Sequence, residues 1–250
     1  MDLGTEALAA AAVPSIAELK VKIFADGADR TSMLEMNRTP IVKGLTTNPT
    51  LMRKAGITDY EGFARDILSV IKEKPISFEV FSDEFDEMEA QAMKIASWGN
   101  NVYVKIPVMN TKQQSACPLI KRLAGRGVKL NVTAIMTAAQ VREVVAHLSP
   151  QVASYVSVFA GRIADTGRHP LPVMKASVEF AARNPLCEVI WASPRELLNI
   201  FEADSIGCQV ITVTADILKK LNLVGYDLDT YSLDTVTMFH KDATEAKFRI

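Results

Sequence analysis

Eight short runs rich in β-branched and aromatic residues, separated by segments of helical periodicity, constrain the fold of this chain more than any other feature. The runs cover residues 19–26, 41–47, 76–81, 102–107, 128–134, 155–159, 188–192 and 209–213. Apolar residues recur at helical spacing at 60–72, 86–98, 112–123, 138–147, 172–182 and 194–202. Strands that alternate with helices pair in parallel through right-handed crossovers, and eight such units close most simply into a barrel.

The alternative architecture is an open doubly wound sheet, but no G-x-G-x-x-G turn follows the first run. A length of 250 residues suits one (β/α)8 barrel, although it would also permit two ordinary domains. The sequence therefore predicts an α/β protein with a single (β/α)8 TIM barrel over 19–221. An extension over 1–18, Ala-rich or helical, precedes the barrel, and a tail over 222–250 follows it. The tail is predicted to be loop at 222–234 and helix at 235–247, and to dock on its own barrel or on a neighbouring subunit.

Composition narrows the classes of partner. The net charge near -1 gives no reason to expect a nucleic-acid partner, and no apolar run reaches the ~18 residues that a membrane helix needs. Acidic rather than basic residues precede the apolar stretch at 7–13, which disfavours a secretion signal. Three widely spaced cysteines fit neither a disulfide framework nor a zinc site, and three histidines show no ligand spacing. We expect a cytoplasmic protein that uses no metal and no cofactor.

Polar residues stand near the ends of almost all of the predicted strands. In a (β/α)8 barrel the carboxyl ends of the strands form the active-site face, so these residues are functional candidates. They are Asp26, Thr47, Asn48, Glu79, Lys105, Asn131, Thr133, Ser157 and Ser193.

Lys105 is the strongest candidate nucleophile. It lies in the apolar run Val102–Pro107, which would place its amine inside the barrel. Burial disfavours the ammonium form and makes a lysine more readily available as a nucleophilic amine, as imine chemistry requires. The alternatives are a lysine that reaches solvent and a structural ion pair with Glu79. Spacing alone does not choose between Lys105 and the lysines of the other strand-like runs.

The remaining candidates each have a structural alternative. Asp26 and Glu79 could supply acid/base catalysis, but Asp26 could equally be a turn or capping residue before Gly27. Asn48, before a proline, is also typical of a turn that opens a helix. Arg162 and Arg195 could bind a phosphate or be solvated loop residues. Pro194 could start a helix whose free N–H groups add to an anion site.

Taken in order, these segments resemble the transaldolases. The resemblance is carried by the runs Gly-Leu-Thr-Thr-Asn-Pro-Thr-Leu at 44–51, Val-Lys-Ile-Pro at 104–107, Asn-Val-Thr at 131–133, Phe-Ala-Gly-Arg at 159–162 and Ala-Ser-Pro-Arg at 192–195. In size the chain is similar to the small-transaldolase and fructose-6-phosphate aldolase branch. The similarity extends from about residue 20 to the last helix.

The resemblance implies a role for each candidate. Lys105 would form an imine with a ketose, Asp26 would take the proton of the C4 hydroxyl, and Glu79 would act through a water bridged to Thr133. The dihydroxyacetone unit and the sugar phosphate would be bound by Thr47, Asn48, Asn131, Ser157, Phe159, Arg162, Ser193 and Arg195. The family also implies a homo-oligomer.

Three positions separate the two activities within the resemblance. The resemblance implies that an aldolase of the family would have a tyrosine in place of Phe159, a glutamine in place of Glu79 and a lysine in place of Arg195. The resemblance thus favours transfer of dihydroxyacetone from fructose 6-phosphate or sedoheptulose 7-phosphate to erythrose 4-phosphate or glyceraldehyde 3-phosphate. Gly27, Val158 and Pro194 depart from the family pattern and leave a modified ketose, for example a sulfonated one, as an alternative. A dihydroxyacetone-dependent aldolase and a non-catalytic sugar-phosphate-binding barrel are also compatible with these residues.

Overall fold

The computed structural model describes residues 15–249, which form two compact units. The larger unit, residues 19–218, contains all eight strands. The strands are β1 (Lys22–Asp26), β2 (Val42–Thr46), β3 (Ile76–Glu79), β4 (Val102–Pro107), β5 (Leu130–Ile135), β6 (Ser154–Val158), β7 (Cys187–Trp191) and β8 (Val210–Val213). Each pairs in parallel with the next, and β8 pairs with β1 to close the barrel. The predicted (β/α)8 TIM barrel is confirmed, and the open sheet is excluded.

Helices follow the strands around the barrel. They are α1 (Arg30–Arg38), α2 (Pro49–Lys54), α3 (Tyr60–Val70), α4 (Phe85–Ala96), α5 (Cys117–Gly125), α6 (Ala138–His147), α7 (Ala160–Ala164), α8 (Leu171–Ala181), α9 (Leu198–Ser205) and α10 (Ala215–Lys219). Side-chain caps fix several of their starts: Asp29 and Asp59 cap α1 and α3, and Thr137 with Gln140 forms a capping box on α6. None of the helices in the described part of the chain is long and apolar enough to cross a membrane.

The two ends of the barrel differ in chemistry. Phe24 packs edge-on against Tyr155 inside the barrel with ring centroids 5.5 Å apart, in an apolar cluster that extends through Ile190 and Val210 to Ala192 at the cavity. A close Lys22–Glu188 ion pair lies in the same region. The carboxyl end instead carries polar side chains around an open cavity. Apolar side chains therefore fill the interior of the barrel beneath the cavity, and polar side chains are concentrated at its carboxyl end.

The smaller unit contains the two ends of the chain, described over 15–18 and 219–249. Its main element is α11 (Leu228–Glu245), which Asp227 caps by accepting the N–H of Thr230. The prediction of loop at 222–234 is wrong from residue 228 onward, because this cap starts the helix seven residues before the predicted position. Most of the predicted extension, residues 1–14, lies outside the described residues.

Candidate active site

A cavity of about 400 Å³ opens at the carboxyl end of the barrel. Ten of the twelve residues predicted for the site line it: Asp26, Asn48, Glu79, Lys105, Asn131, Thr133, Ser157, Phe159, Arg162 and Ser193. These residues come from the ends of β1 to β7 and the loops that follow, so closure of the barrel is what brings them together.

Lys105 is buried on β4, with a side chain that is 8% exposed. Its Nζ lies 3.2 Å from Glu79 Oε2 and donates a hydrogen bond to the carbonyl oxygen of Thr47 at 2.8 Å. Residues 79 and 105 are cross-strand neighbours in the parallel ladder, which explains why the two side chains meet. The ion pair considered from the sequence is therefore present, and it lies inside the cavity rather than at the protein surface.

Asp26 ends β1 and lines the same cavity. Its two carboxylate oxygens accept hydrogen bonds from Thr46 Oγ1 at 3.0 Å and from Asn48 Nδ2 at 3.2 Å. The oxygen of the Asn48 side chain meanwhile caps α2 by accepting the N–H of Leu51. Asn48 thus serves as both the helix cap and a ligand of Asp26, whereas the cap of α1 is Asp29.

Burial raises the pKa of Asp26, and the positive charge of Lys105 only partly opposes this effect. The folded protein therefore binds this proton more readily than the unfolded chain does. The associated stability is present below the ordinary aspartate pKa and is lost as the pH rises through the folded value. We expect Asp26→Asn to raise the melting temperature at pH 7, with a gain that disappears as the pH approaches 4, as calorimetry at several pH values would show.

Asp66→Asn is the matched control for this effect, because hydrogen bonding to Arg30 lowers the pKa of the exposed Asp66. Its removal should leave the melting temperature at pH 7 unchanged or slightly lower. A melting temperature of Asp26→Asn below that of the wild type at pH 7 would show that hydrogen bonds to the carboxylate outweigh its burial.

A buried hydrogen-bonded chain forms the wall of the cavity beside Lys105. Ser157 Oγ donates to Asn131 Oδ1 at 2.7 Å, and Asn131 Nδ2 donates to Ser77 Oγ at 3.0 Å. The hydroxyl of Thr133, in contrast, is buried without a hydrogen-bond partner in the described protein. A buried hydroxyl normally has a partner, so Thr133 Oγ1 is available for a group that enters the cavity.

Tyr60, on α3, holds the backbone of Glu79. Its hydroxyl accepts the N–H of Glu79 at 2.8 Å and donates to the carbonyl oxygen of the same residue at 3.2 Å. The ladder between β2 and β3 ends at Ser77, so the Tyr60 hydroxyl replaces a strand partner there. Burial raises the pKa of Tyr60, which keeps this hydroxyl neutral.

Arg162 brings a positive charge to the cavity lining. Arg162 lines the cavity from the start of α7 with its guanidinium 5.7 Å from the ring centre of Phe159, and Ser193 lines it from the loop after β7. Ser193 has a left-handed backbone with φ of 58°, as does Ala134 near the Thr133 wall with φ of 62°. Such conformations cost non-glycine residues on the order of 1–2 kcal/mol and concentrate at functional sites.

Gly161 allows the loop after β7 to approach α7. A Cβ at this position would lie 1.5 Å from the carbonyl oxygen of Ser193, which no side-chain movement could relieve. We expect Gly161→Ala to lower stability by about 1–3 kcal/mol and to separate Ser193 from Arg162. Chemical denaturation would measure the loss.

Gly125→Ala, at the last residue of α5, is the matched control for Gly161→Ala, because a Cβ there meets nothing within 4 Å. It should be neutral or stabilising. Equal losses in the two variants would contradict the steric explanation.

The predicted helix start at Pro194 is wrong, and two predicted site residues, Arg195 and Thr47, lie outside the cavity. Pro194 does not start a helix: α9 begins at Leu198, because the Asn199 side chain accepts the N–H groups of Arg195 and Glu196 and holds this segment in an irregular turn. Arg195 does not line the cavity, and its guanidinium pairs with Asp165 instead. Thr47 is fully buried, and its hydroxyl donates to the carbonyl oxygen of Ser77.

Several residues of the site were not predicted from the sequence. Thr46 and Ser77 contact Asp26 and Asn131, and Tyr60 fixes Glu79. The sequence could have indicated Ser77, because a residue two positions before Glu79 on the same strand faces the same side of β3. No local pattern marks Tyr60, which reaches Glu79 from a helix 19 residues earlier in the chain.

Comparison with known proteins connects this site to a family. The family model described as Transaldolase/Fructose-6-phosphate aldolase matches residues 23–250. A "Probable transaldolase" of Methanococcus maripaludis and a "Probable transaldolase 1" of Bacillus cereus are each 33% identical over 203 residues, covering 80% of this chain and 89% of the relative. The "Probable transaldolase" of Methanococcus vannielii is 34% identical with the same coverage.

A solved structure shares the fold at much lower identity. A Coccidioides immitis protein named for the dihydrodipicolinate synthase family matches with a TM-score of 0.58 at 12% identity, covering 93% of this chain and 80% of its own. This likeness concerns the barrel alone.

Proposed function

Because this chain belongs to the transaldolase/fructose-6-phosphate aldolase family, we propose that it is a transaldolase that transfers dihydroxyacetone through an imine on Lys105. The donor is fructose 6-phosphate or sedoheptulose 7-phosphate, and the acceptor is an aldose phosphate such as erythrose 4-phosphate or glyceraldehyde 3-phosphate. The observation that carries the proposal is a buried lysine amine paired with Glu79, in a cavity that Asp26 and Arg162 also line.

The first half of the reaction forms the imine. The free amine of Lys105 attacks the C2 carbonyl of the ketose to give a carbinolamine, and loss of water gives the imine. Glu79, 3.2 Å from the amine, exchanges protons with the amine and the departing hydroxyl. A water between Glu79 and the unpartnered hydroxyl of Thr133 is the natural carrier of these protons.

The second half breaks and remakes a carbon–carbon bond. Asp26 takes the proton of the C4 hydroxyl, the C3–C4 bond breaks, and its electron pair flows into the protonated imine to leave an enamine on Lys105. The released aldehyde departs and the acceptor aldehyde takes its place. The enamine then attacks the new carbonyl carbon while Asp26 returns the proton to its oxygen. Hydrolysis of the resulting imine frees Lys105.

Substrate contacts follow from the same geometry. Asn48, Asn131 and Ser157 line the cavity together with Lys105 and are assigned to the dihydroxyacetone unit. Arg162 and Ser193 are assigned to the phosphate. Thr47 is assigned a positioning role, because its carbonyl oxygen accepts a hydrogen bond from the Lys105 amine.

Product analysis tests the reaction type. Fructose 6-phosphate is supplied with and without erythrose 4-phosphate, and the sugars are separated by chromatography with mass detection. We expect sedoheptulose 7-phosphate and glyceraldehyde 3-phosphate only with the acceptor. Free dihydroxyacetone at an equal rate without acceptor would instead identify an aldolase. If fructose 6-phosphate gives no product, and sedoheptulose 7-phosphate supplied with glyceraldehyde 3-phosphate gives none either, although both ketoses bind, the substrate would be a modified ketose or the chain a non-catalytic sugar-phosphate-binding barrel.

We also propose a cytoplasmic homo-oligomer. The three cysteines are free and buried, which suits a reducing compartment. On α11, large apolar side chains are exposed, among them Leu228, Leu233, Val236 and Phe239. Exposed apolar surface of this kind is typical of an association face. Light scattering should give a mass that is a multiple of 27.4 kDa, and a monomer at micromolar concentration would contradict this assignment.

A further inference from the structure

Arg195 forms a two-point ion pair with Asp165 just outside the cavity. Its Nε donates to Asp165 Oδ1 at 2.8 Å, and one terminal guanidinium nitrogen bonds the other carboxylate oxygen. Asp165 is the residue that ends α7, and Arg195 stands in the loop after β7. The pair therefore joins the two segments that also present Arg162 and Ser193 to the cavity.

The backbone places this pair next to the cavity. The guanidinium carbon of Arg195 lies 3.3 Å from the position that a Cβ on Gly161 would occupy, and Arg162 is the next residue. The N–H of Arg195 donates to Asn199 Oδ1 at 2.8 Å, which fixes the backbone from which the side chain starts. Arg162 thus lines the cavity, whereas Arg195 lies just outside it with its charge neutralised by Asp165.

The Asp165–Arg195 pair is one that a strong anion could exchange. The side chains of Arg195 and Asp165 are 48% and 52% exposed. Exposed ion pairs contribute little stability, about 0–1 kcal/mol. A phosphate, with about two negative charges and three acceptor oxygens, matches a guanidinium at least as well as a carboxylate does. The carboxylate of Asp165 is ionised at neutral pH, because hydrogen bonds from Arg195 lower its pKa.

We propose that Asp165 lowers the affinity of this site for phosphorylated sugars, but not for sugars without a phosphate, by competing with the substrate phosphate for Arg195. The proposal rests on the function proposed above, and it assigns Asp165 a role in specificity rather than in the chemical steps. When Asp165 is present, a substrate phosphate can bind Arg162 directly. To bind Arg195 as well, it must displace the carboxylate of Asp165. The enzyme therefore holds phosphorylated sugars less tightly than its two arginines would allow, which favours exchange of one sugar phosphate for another on the enzyme.

Asp165→Asn tests the competition, because it removes the charge and keeps the shape of the side chain. We expect KM for fructose 6-phosphate to fall about three- to fivefold, the factor that corresponds to a weak exposed pair, with kcat changed less than about twofold. For fructose, which lacks the phosphate, kcat/KM should not change. In an Arg195→Gln background the same Asp165→Asn change should no longer lower KM.

The matched control is Asp66→Asn, which breaks another exposed arginine–aspartate pair, the one with Arg30, and should leave both KM values unchanged. Unchanged or higher KM for fructose 6-phosphate in Asp165→Asn would overturn the proposal. Parallel changes for both sugars would also overturn it, because they would show that Asp165 only braces α7 against the loop.

A binding measurement separates this proposal from the reaction itself. Calorimetry with inorganic phosphate should give a Kd about three- to fivefold lower for Asp165→Asn than for the wild type. An unchanged Kd would overturn the competition even if the wild type transfers dihydroxyacetone. A lower Kd for Asp165→Asn together with a wild type that performs no transfer would contradict the proposed function and leave the competition supported.

Discussion

Replacing Lys105 with alanine is expected to lower kcat/KM for fructose 6-phosphate by at least about a thousandfold. The reason is that no other described amine lines the cavity to form the imine, so the covalent route is lost rather than slowed. Steady-state assay of erythrose-4-phosphate-dependent transfer measures the loss. Lys105→Arg should be equally inactive, because it keeps the positive charge beside Glu79 but offers no nucleophilic amine.

Lys129→Ala is the control for the Lys105 variants. This lysine lies just before β5, and its amine bonds the carbonyl oxygen of Asn100 at the protein surface. Its removal should leave kcat and KM within about twofold of the wild type, as is usual for a surface substitution. Circular dichroism would confirm that the Lys105 variants fold. Transfer activity within tenfold of the wild type in folded Lys105→Ala would exclude Lys105 as the nucleophile.

Asp26→Ala is expected to separate imine formation from bond cleavage. Turnover should fall by about a hundred- to ten-thousandfold, the range for loss of a positioned acid or base. Imine formation on Lys105 should persist, because Glu79 rather than Asp26 lies within contact of the amine. Two measurements on Asp26→Ala check this prediction: the rate of dihydroxyacetone transfer, and the extent to which borohydride traps fructose 6-phosphate on the enzyme.

Asp59→Ala is the control for Asp26→Ala, because it removes an aspartate that does not line the cavity. Asp59 caps α3, so its removal should cost stability but leave turnover of the folded enzyme unchanged. If Asp26→Ala lost trapping and turnover in equal measure, Asp26 would be needed before cleavage. If it retained turnover, the carboxylate would have no acid/base role.

The barrel could be predicted from the sequence because its strands carry their own signals. Runs such as Val102–Pro107 are apolar and β-branched, and they recur between segments of helical periodicity. The helices that were missed are short or poor in apolar residues, as in α1, where only Met33 and Met36 are buried. The polar composition of residues 222–234 indicates a loop, but the helix cap at Asp227 starts α11 within this segment.

The site was predictable to the level of strand ends and not beyond. The position of a residue near the end of a predicted strand indicated that it would line the cavity, and ten of the twelve candidates do so. The direction of Arg195 depends on Asp165, 30 residues earlier in the chain, and the surroundings of Thr47 depend on Ser77 in the next strand. Such pairings are set by tertiary packing, so one sequence without its fold does not reveal them.

Borohydride reduction in the presence of fructose 6-phosphate, followed by mass analysis of the peptides, tests the central claim most directly. Borohydride converts an imine into a stable secondary amine at the lysine that formed it. A covalent adduct of the ketose or its three-carbon unit is expected on Lys105 in the wild type and is expected to be absent in Lys105→Ala. No adduct on Lys105, or the same adduct in Lys105→Ala, would contradict the account.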